Sequence, residues 1–418
     1  MKKKLLAIGL SLLMIISTYI PVNAVDISAQ YAIVIDQESG QILYDKNAKE
    51  KMYPASITKI LTCIVAIEMI DDLEEKVTIT QSDIDTVWET GASAANFEVG
   101  EVVTYRDVLM GAMLPSGADA CRALANNTCG SQEKFVAKMN DKAKELGLND
   151  TNFVNTTGIY DDNHYTTVYD MAMITQYAMQ NEKFVEVFNR YQYNASNGLH
   201  QWIKKVLYNC KKDHMDVSMI EGCKSGYTMK SQHTLSSVLN IDNHRYVCVV
   251  GFCQNSDGYN HCSVNDTLTL GRYIASKYKS VNLLDKDTKM NSVDVNNGKE
   301  NNVDVVLAKD VNVVLPNGYN QGDIEYKYHL KTLTAPVKKG AEAGTMDVLY
   351  QGDKVGSIDL KTKTSVEEDG FIVFMRKLKA IVIPCFIIIV LVFIVLLIVR
   401  KIVIYQRRKR RRKKRSNR

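Results

Sequence analysis

Ala380 to Val399 is a run of 20 residues without a charge, built mostly from Ile, Val, Leu and Phe. As a helix rising 1.5 Å per residue it spans about 30 Å, the thickness of a bilayer core. Arg400-Lys401 closes the run, and an unbroken basic stretch from Arg407 to Arg415 follows. Basic residues stay on the cytoplasmic side of a membrane, so residues 400–418 are expected inside and everything before Ala380 outside. The basic tail behind a spanning helix reads as a stop-transfer signal that also contacts anionic lipid. The other end agrees. Lys2-Lys3-Lys4 precede an apolar stretch from Leu5 to Ile20, and small residues follow at Val22-Asn23-Ala24, so residues 1–24 are expected to be a cleaved signal peptide.

These ends distort the charge balance. The first 24 residues hold three lysines and residues 379–418 hold 13 basic residues, with no acid in either. The body between them carries 36 basic and 47 acidic residues, a net charge of −11. An acidic exported body is not a nucleic-acid binder. Eight of the nine cysteines lie outside the spanning run, and their pairing stays open on spacing alone. Cys248, Cys253, His261 and Cys262 match no zinc spacing, so no metal site is expected.

Along the body, Tyr31–Asp36 and Gln41–Tyr44 read as a hairpin with Gly40 at the turn. Helical spacing runs over Ser56–Ile70, Asp107–Leu114, Ala118–Asn127, Gln132–Leu146, Thr167–Gln180 and Asn265–Lys277. Ile220–Lys230 and Arg245–Phe252 read as strands, the second apolar and β-branched as a central strand would be. The Asn-, Asp- and Lys-rich stretch 281–302 reads as a linker between a first domain, 25–280, and a small β-rich domain, 303–370.

Three short motifs carry the chemistry. Ser56-Ile57-Thr58-Lys59 sits at a helix start behind Pro54. Residues three apart share a helix face, so the Lys59 amine can reach the Ser56 hydroxyl. A buried lysine near a second cation has a lowered pKa and can serve as a base. Ser116-Gly117-Ala118 lies between a helix stop at Pro115 and a helix start, and Lys224-Ser225-Gly226-Tyr227-Thr228 lies in a predicted strand. Two more S-x-x-K spacings, Ser131 to Lys134 and Ser276 to Lys279, read as surface residues.

In this order the motifs resemble the S-x-x-K, S-x-N and K-T-G set of the penicillin-recognising serine peptidases. Lys144 to Phe153 resembles a segment of the D-alanyl-D-alanine carboxypeptidases, and so does Thr157-Gly158-Ile159 through His164 to Asp170-Met171-Ala172. The resemblance covers about residues 28–275, and Ala335 to Gly340 with the strands after it resembles the C-terminal β-domain of the same family. It implies an α/β fold of the β-lactamase/transpeptidase type, an antiparallel sheet flanked by helices with a helical lobe, then the small all-β domain and the spanning helix.

It also implies roles. Ser56 would be the nucleophile, Lys59 its base and Ser116 a proton relay. Lys224 and Ser225 would meet the substrate carboxylate, Gly226 would let the backbone approach, and the N–H groups of Tyr227 and Ser56 would form an oxyanion hole. Thr228 completes the substrate-binding motif. His164 reads as structural, because Lys59 fills the base role. The implied activity is removal of the terminal D-alanine from peptidoglycan stem peptides, with β-lactam antibiotics as covalent inhibitors, the bilayer as a further partner and no cofactor. Ala118 departs from the pattern, which has Asn there. Two rivals follow: a class A-like β-lactamase using Glu145, and a wall-binding relative that has lost activity.

Overall fold

The computed structural model describes residues 25–85, 87, 91–254 and 261–416, with side chains through residue 408. The leader expected over residues 1–24 lies outside the described residues. The chain divides into two units, one of residues up to 281 together with 313–321, the other of 282–312 and 322–418.

The first unit is built on a five-stranded antiparallel sheet. Its strands are β1 (Ala29–Asp36), β2 (Ile42–Lys46), β3 (Ile220–Thr228), β4 (Gln232–Ile241) and β5 (His244–Cys253), in the order β2-β1-β5-β4-β3. Gly40 closes the β1–β2 hairpin at φ +75°, a conformation that costs glycine little. Strand β5 is buried on both faces: Val247 and Val249 join one apolar cluster, Tyr246, Cys248 and Val250 the other. That is why its sequence reads as a continuous apolar run instead of an alternating one.

Helices cover both faces. On one lie α1 (Lys59–Ile67), α2 (Tyr105–Met113), α3 (Ala118–Cys129), α4 (Gln132–Glu145) and α5 (Val168–Ala178); on the other lies α6 (Cys262–Lys277). All nine residues of α1 are buried. A helix apolar on all sides belongs inside a core. Ile60, Leu61, Ile64 and Ile67 each contribute about 1.5–3 kcal/mol by leaving water. This central helix begins at the lysine of the S-x-x-K motif, so the motif is anchored in the core.

The sequence reading has no element over 232–241, where β4 lies. Its inward residues include hydroxyls, which the apolar pattern does not register. Each is satisfied: Thr234 Oγ1 donates to Pro54 O at 3.1 Å, Ser236 Oγ and Thr175 Oγ1 lie 2.8 Å apart, and Ser237 Oγ donates to Cys248 O at 3.1 Å.

The second unit holds a six-stranded sheet of β6 (Lys289–Asn296), β7 (Asn302–Leu307), β8 (Ile324–Leu330), β9 (Leu333–Thr334), β10 (Glu342–Tyr350) and β11 (Asp353–Thr362), ordered β8-β10-β11-β7-β6-β9. The stretch expected to be a linker over 281–302 is instead largely strand, over Tyr278–Leu284 and β6. Val293 and Val295 point inward while Asp294 and Asn296 face solvent, so a polar composition hides a strand of the sheet. Helix α7 (Gly370–Ser416) follows. Among the described residues, one helix is long and apolar enough to cross a membrane, Gly370–Arg408.

Candidate active site

Ser56 lies in a single 3₁₀ turn, Ala55–Thr58, that leads into α1. The turn is strained: Ala55 adopts φ +50°. Four groups hold it. Thr58 Oγ1 donates to Ala55 O at 2.8 Å and meets His164 Nε2 at 2.9 Å. The backbone N–H of Val154 donates to His164 Nδ1 at 3.1 Å, so Nε2 carries the proton and donates to Thr58. Burial drives His164 down to about 4, which keeps it neutral. Thr234 holds Pro54, and Gly158 packs so tightly that a Cβ there would sit 1.8 Å from Ala55 O. His164 is thus structural, as the sequence implied, and it acts on the turn that presents Ser56.

Lys59 Nζ donates to Ser56 Oγ at 2.9 Å and to Thr157 O at 2.6 Å. Its amine is fully buried, and burial lowers its pKa from the usual lysine value. Cys63 and Cys121 flank it, both with thiols pushed up by burial, Cys121 to about 11, so both are neutral neighbours.

Ser116 stands at φ +67°, between α2 and α3, and its hydroxyl accepts from Lys224 Nζ at 2.9 Å. It is not a helix cap; Gly117 holds that position. Asp119, in the first turn of α3, ties that helix start to the segment 95–97. Its carboxylate accepts the backbone N–H groups of Ala95, Asn96 and Phe97 at 2.8, 2.9 and 3.2 Å. The sequence reading missed Asp119, whose only signal is an acid in the first turn of α3.

Strand β3 brings in the third motif. Lys224 Nζ also donates to Ser225 O at 2.8 Å. Burial first, and the Lys59 charge second, push Lys224 down to about 7. The repulsion expected to lower Lys59 therefore registers on Lys224, while burial alone accounts for Lys59. Gly226 faces the serine turn: a Cβ there would lie 2.6 Å from Thr234 Oγ1 and 2.7 Å from the Ser56 nitrogen. No other residue permits that approach without moving the strand.

A cleft of about 850 Å³ is lined by Ser56, Ser116, Lys224, Ser225, Gly226 and Tyr227, with Lys204 and His233 further along. Thr228 sits at the β3–β4 turn, its hydroxyl 2.8 Å from Ser231 Oγ, and it is not among the cleft's lining residues. Lys204 was not foreseen; it is buried, its pKa is lowered by burial, and it donates to Phe188 O. The two other S-x-x-K spacings are inert. Ser131 caps α4 and accepts from Lys134 N at 3.3 Å, and Ser276 Oγ donates to Tyr273 O at 2.8 Å. Glu145 ends α4 in an ion pair with Lys142 at 2.9 Å, and it lines no part of the cleft.

A helix-start serine bonded to a buried lysine, on a mixed sheet-and-helix fold, defines a serine hydrolase. Residues 18–252 match the peptidase S11 family, the D-alanyl-D-alanine carboxypeptidases, and residues 278–368 match the penicillin-binding protein 5 C-terminal domain. The chain belongs to that family and is a D-alanyl-D-alanine carboxypeptidase of the serine type. It is 29% identical over 350 residues to D-alanyl-D-alanine carboxypeptidase DacF of Bacillus subtilis, covering 84% of this chain and 88% of that one. Penicillin-binding protein 5 from Haemophilus influenzae shares the fold, with a TM-score of 0.66 at 24% identity over 82% of this chain and 98% of that one. The Streptomyces K15 DD-transpeptidase matches 59% of this chain and 97% of its own at 28% identity, with a TM-score of 0.54.

Proposed function

We propose that Ser56 is the acylated nucleophile and Lys59 the base that activates it. The observation that carries this reading is the 2.9 Å contact between Lys59 Nζ and Ser56 Oγ at an amine whose pKa is lowered by burial. In its neutral form Lys59 takes the Ser56 proton as Oγ attacks the carbonyl between the two terminal D-alanines. The oxyanion forms against the N–H groups of Ser56 and Tyr227, which Gly226 allows to converge. Ser116, between Lys59's neighbourhood and Lys224, passes the proton to the leaving D-alanine amine. Lys224 and Ser225 hold the substrate's terminal carboxylate. Water then hydrolyses the ester and the proton returns through Lys59. β-lactam antibiotics acylate the same oxygen. Glu145, held by Lys142 and outside the cleft, does not supply the acid of a lactamase-type deacylation.

Fluorescent penicillin tests the assignment. Label is expected on the wild type and on Ser131→Ala, and its loss in Ser56→Ala. A Ser56→Ala protein that still takes label refutes it.

The same reading places residues 25–379 outside the cell after removal of the leader, crosses the bilayer once over residues 380–399, and leaves residues 400–418 in the cytoplasm. The uncharged run and the basic stretch behind it support this orientation. Protease added to intact protoplasts is expected to remove the catalytic body and spare a C-terminal tag; a tag digested from outside reverses the topology.

A further inference from the structure

Six of the eight cysteines before residue 380 stand in three neighbouring pairs: Cys63 with Cys121, Cys210 with Cys223, and Cys253 with Cys262. The first two pairs are alike. All four side chains are buried, and burial pushes each thiol up, Cys121 and Cys210 to about 11. They stay protonated and behave as small apolar residues of the core. The third pair differs. Cys253 is buried, Cys262 is half-buried, and the Cys253 thiol donates to the Cys262 sulfur.

The fold sets this contact. Cys253 ends β5, opposite Ala29 of β1 and His233 of β4. Cys262 begins α6. Asp266 stands one turn further along α6, so its side chain shares a face with that of Cys262. Its carboxylate grips β1: it accepts the N–H groups of Ser28 and Ala29 at 3.0 and 2.7 Å and the Ser28 hydroxyl at 2.8 Å. Ala29 is the residue opposite Cys253, so this clamp holds the start of α6 over the end of β5. The two sulfurs are then unlike. The hydrogen bond to Cys262, then burial and the Asp266 charge, keep Cys253 protonated. The hydrogen bond from Cys253 first, and then the Ser263 N–H, lower the Cys262 thiol against burial and Asp266. A partly exposed thiolate with a protonated thiol behind it is the arrangement that thiol–disulfide exchange needs.

We propose that Cys253 and Cys262 are a dithiol–disulfide pair, with Cys262 the attacking and Cys253 the resolving sulfur, closed by exchange with an external disulfide. The Cys262 thiolate attacks one sulfur of the donor. The donor's S–S bond breaks, one donor half leaves as a thiolate, and the other is joined to Cys262. The Cys253 proton passes to the released thiolate. Cys253 Sγ then attacks Cys262 Sγ and expels the second donor half, which takes up the proton that Cys262 gave to solvent. Two cysteine thiols are oxidised, and one donor disulfide is reduced to two thiols. The proposed topology puts residues 25–379 outside the membrane, where disulfides persist. Gln254 follows Cys253 and Ser263 follows Cys262, and both line the catalytic cleft. The bond therefore ties together two segments of its wall.

The test is thiol chemistry on the full-length protein in detergent. Reduced protein is exposed briefly to iodoacetamide and mapped by mass spectrometry. Cys262 is expected to react about 10-fold faster than Cys129, a half-buried cysteine whose thiol faces Met69 Sδ at 3.8 Å. Reduced protein is next incubated with oxidised glutathione, quenched in acid, unfolded and alkylated. Cys253 and Cys262 are expected to carry no alkyl group, and Cys63, Cys121, Cys210, Cys223 and Cys248 to be alkylated in full. The link is expected to survive cleavage after Tyr259 and to open with reductant. The oxidised protein is expected to melt about 5 °C above the reduced one, as closure of a short ring allows. Cys253→Ser is expected to stall with glutathione on Cys262, and Cys262→Ser to bind none at Cys253. Penicillin labelling checks that each variant folds; if neither does, the wild-type mapping decides. Alkylation of both cysteines after oxidation, a link from either to another cysteine, or a Cys262 no faster than Cys129 overturns the proposal. A Tm that is equal or lower on oxidation also overturns it, since the bond would then strain the wall that it joins.

Discussion

The site contains two lysine–serine pairs, each joined at 2.9 Å, and they are built in opposite ways. Ser56 and Lys59 are three residues apart on one turn, and the backbone of a buried helix sets their geometry. Ser116 and Lys224 are 108 residues apart and meet only because a strained turn and a strand come together. The local pair is set by the turn that leads into α1, which His164, Thr234 and Gly158 brace. The long-range pair depends on the hairpin of β3 and β4, in register with Lys224 opposite Ser236 and Gly226 opposite Thr234, pressing against the serine turn. In the proposed roles, local geometry makes the nucleophile and long-range geometry places it against a substrate. Damage to the second should therefore spare folding of the first and still stop the chemistry.

The sharpest way to break that relation is at Gly226. A Cβ there would come within 2.6 Å of Thr234 Oγ1, 2.7 Å of the Ser56 nitrogen and 2.9 Å of Ala55 Cβ. Two of these contacts involve the serine turn itself, so the strand must retreat. The N–H groups of Ser56 and Tyr227 then no longer converge on one oxygen. Loss of one such donor costs about 10²–10³ in rate. Gly226→Ala is expected to lower the penicillin acylation rate by that order with the Ser56–Lys59 pair still in place. A rate within twofold of wild type would show that the strand does not set the oxyanion geometry.

A smaller effect distinguishes the two lysines by pH. As the proposed base, Lys59 must be neutral to accept a proton, and the active fraction grows as pH rises through its lowered pKa. Lys224 must be charged to hold a carboxylate, and with its pKa pushed down to about 7 it loses that charge as pH rises further. The kcat/KM profile is thus expected to rise, then fall on the alkaline side by about 10-fold per pH unit, with KM carrying the fall. Arginine stays protonated throughout. Lys224→Arg is expected to keep the acid limb and lose the alkaline one. An alkaline limb that persists in Lys224→Arg assigns it to another group.

How much of this was legible in the sequence follows the same division. The Ser56–Lys59 contact needed only helical spacing. The meeting of Ser116 with Lys224 could not come from spacing and entered through the resemblance alone. The supports of the site left no pattern to find. Thr157 acts through a backbone carbonyl, which any residue supplies. The brace of His164 on Thr58 crosses 106 residues. Strand β4 was hidden by hydroxyls that the fold satisfies one by one, and strand β6 by a composition that also suits a linker. Thr228 was placed with the substrate because the motif continues through it, whereas the hairpin turn claims its hydroxyl.

Ala118 joins the two pairs, since it follows Ser116 and lines a cavity next to Lys59's partner Thr157. The site keeps both serines and both lysines; what differs from the family pattern is one side-chain amide. A single hydrogen bond that water can replace contributes about 0.5–1.5 kcal/mol, which is about 10-fold in rate at most. Ala118→Asn is therefore expected to change turnover of a D-Ala-D-Ala peptide by about 10-fold or less. The direction depends on which region dominates: an added contact to the scissile amide raises kcat, while an amide filling the cavity raises KM for a peptide with a long acyl-side residue. Measuring kcat and KM separately on a short and a long peptide resolves the two. An inert wild type that Ala118→Asn revives by orders of magnitude would mean that the four remaining groups do not suffice, and that the chain is a wall-binding relative with a dismantled site.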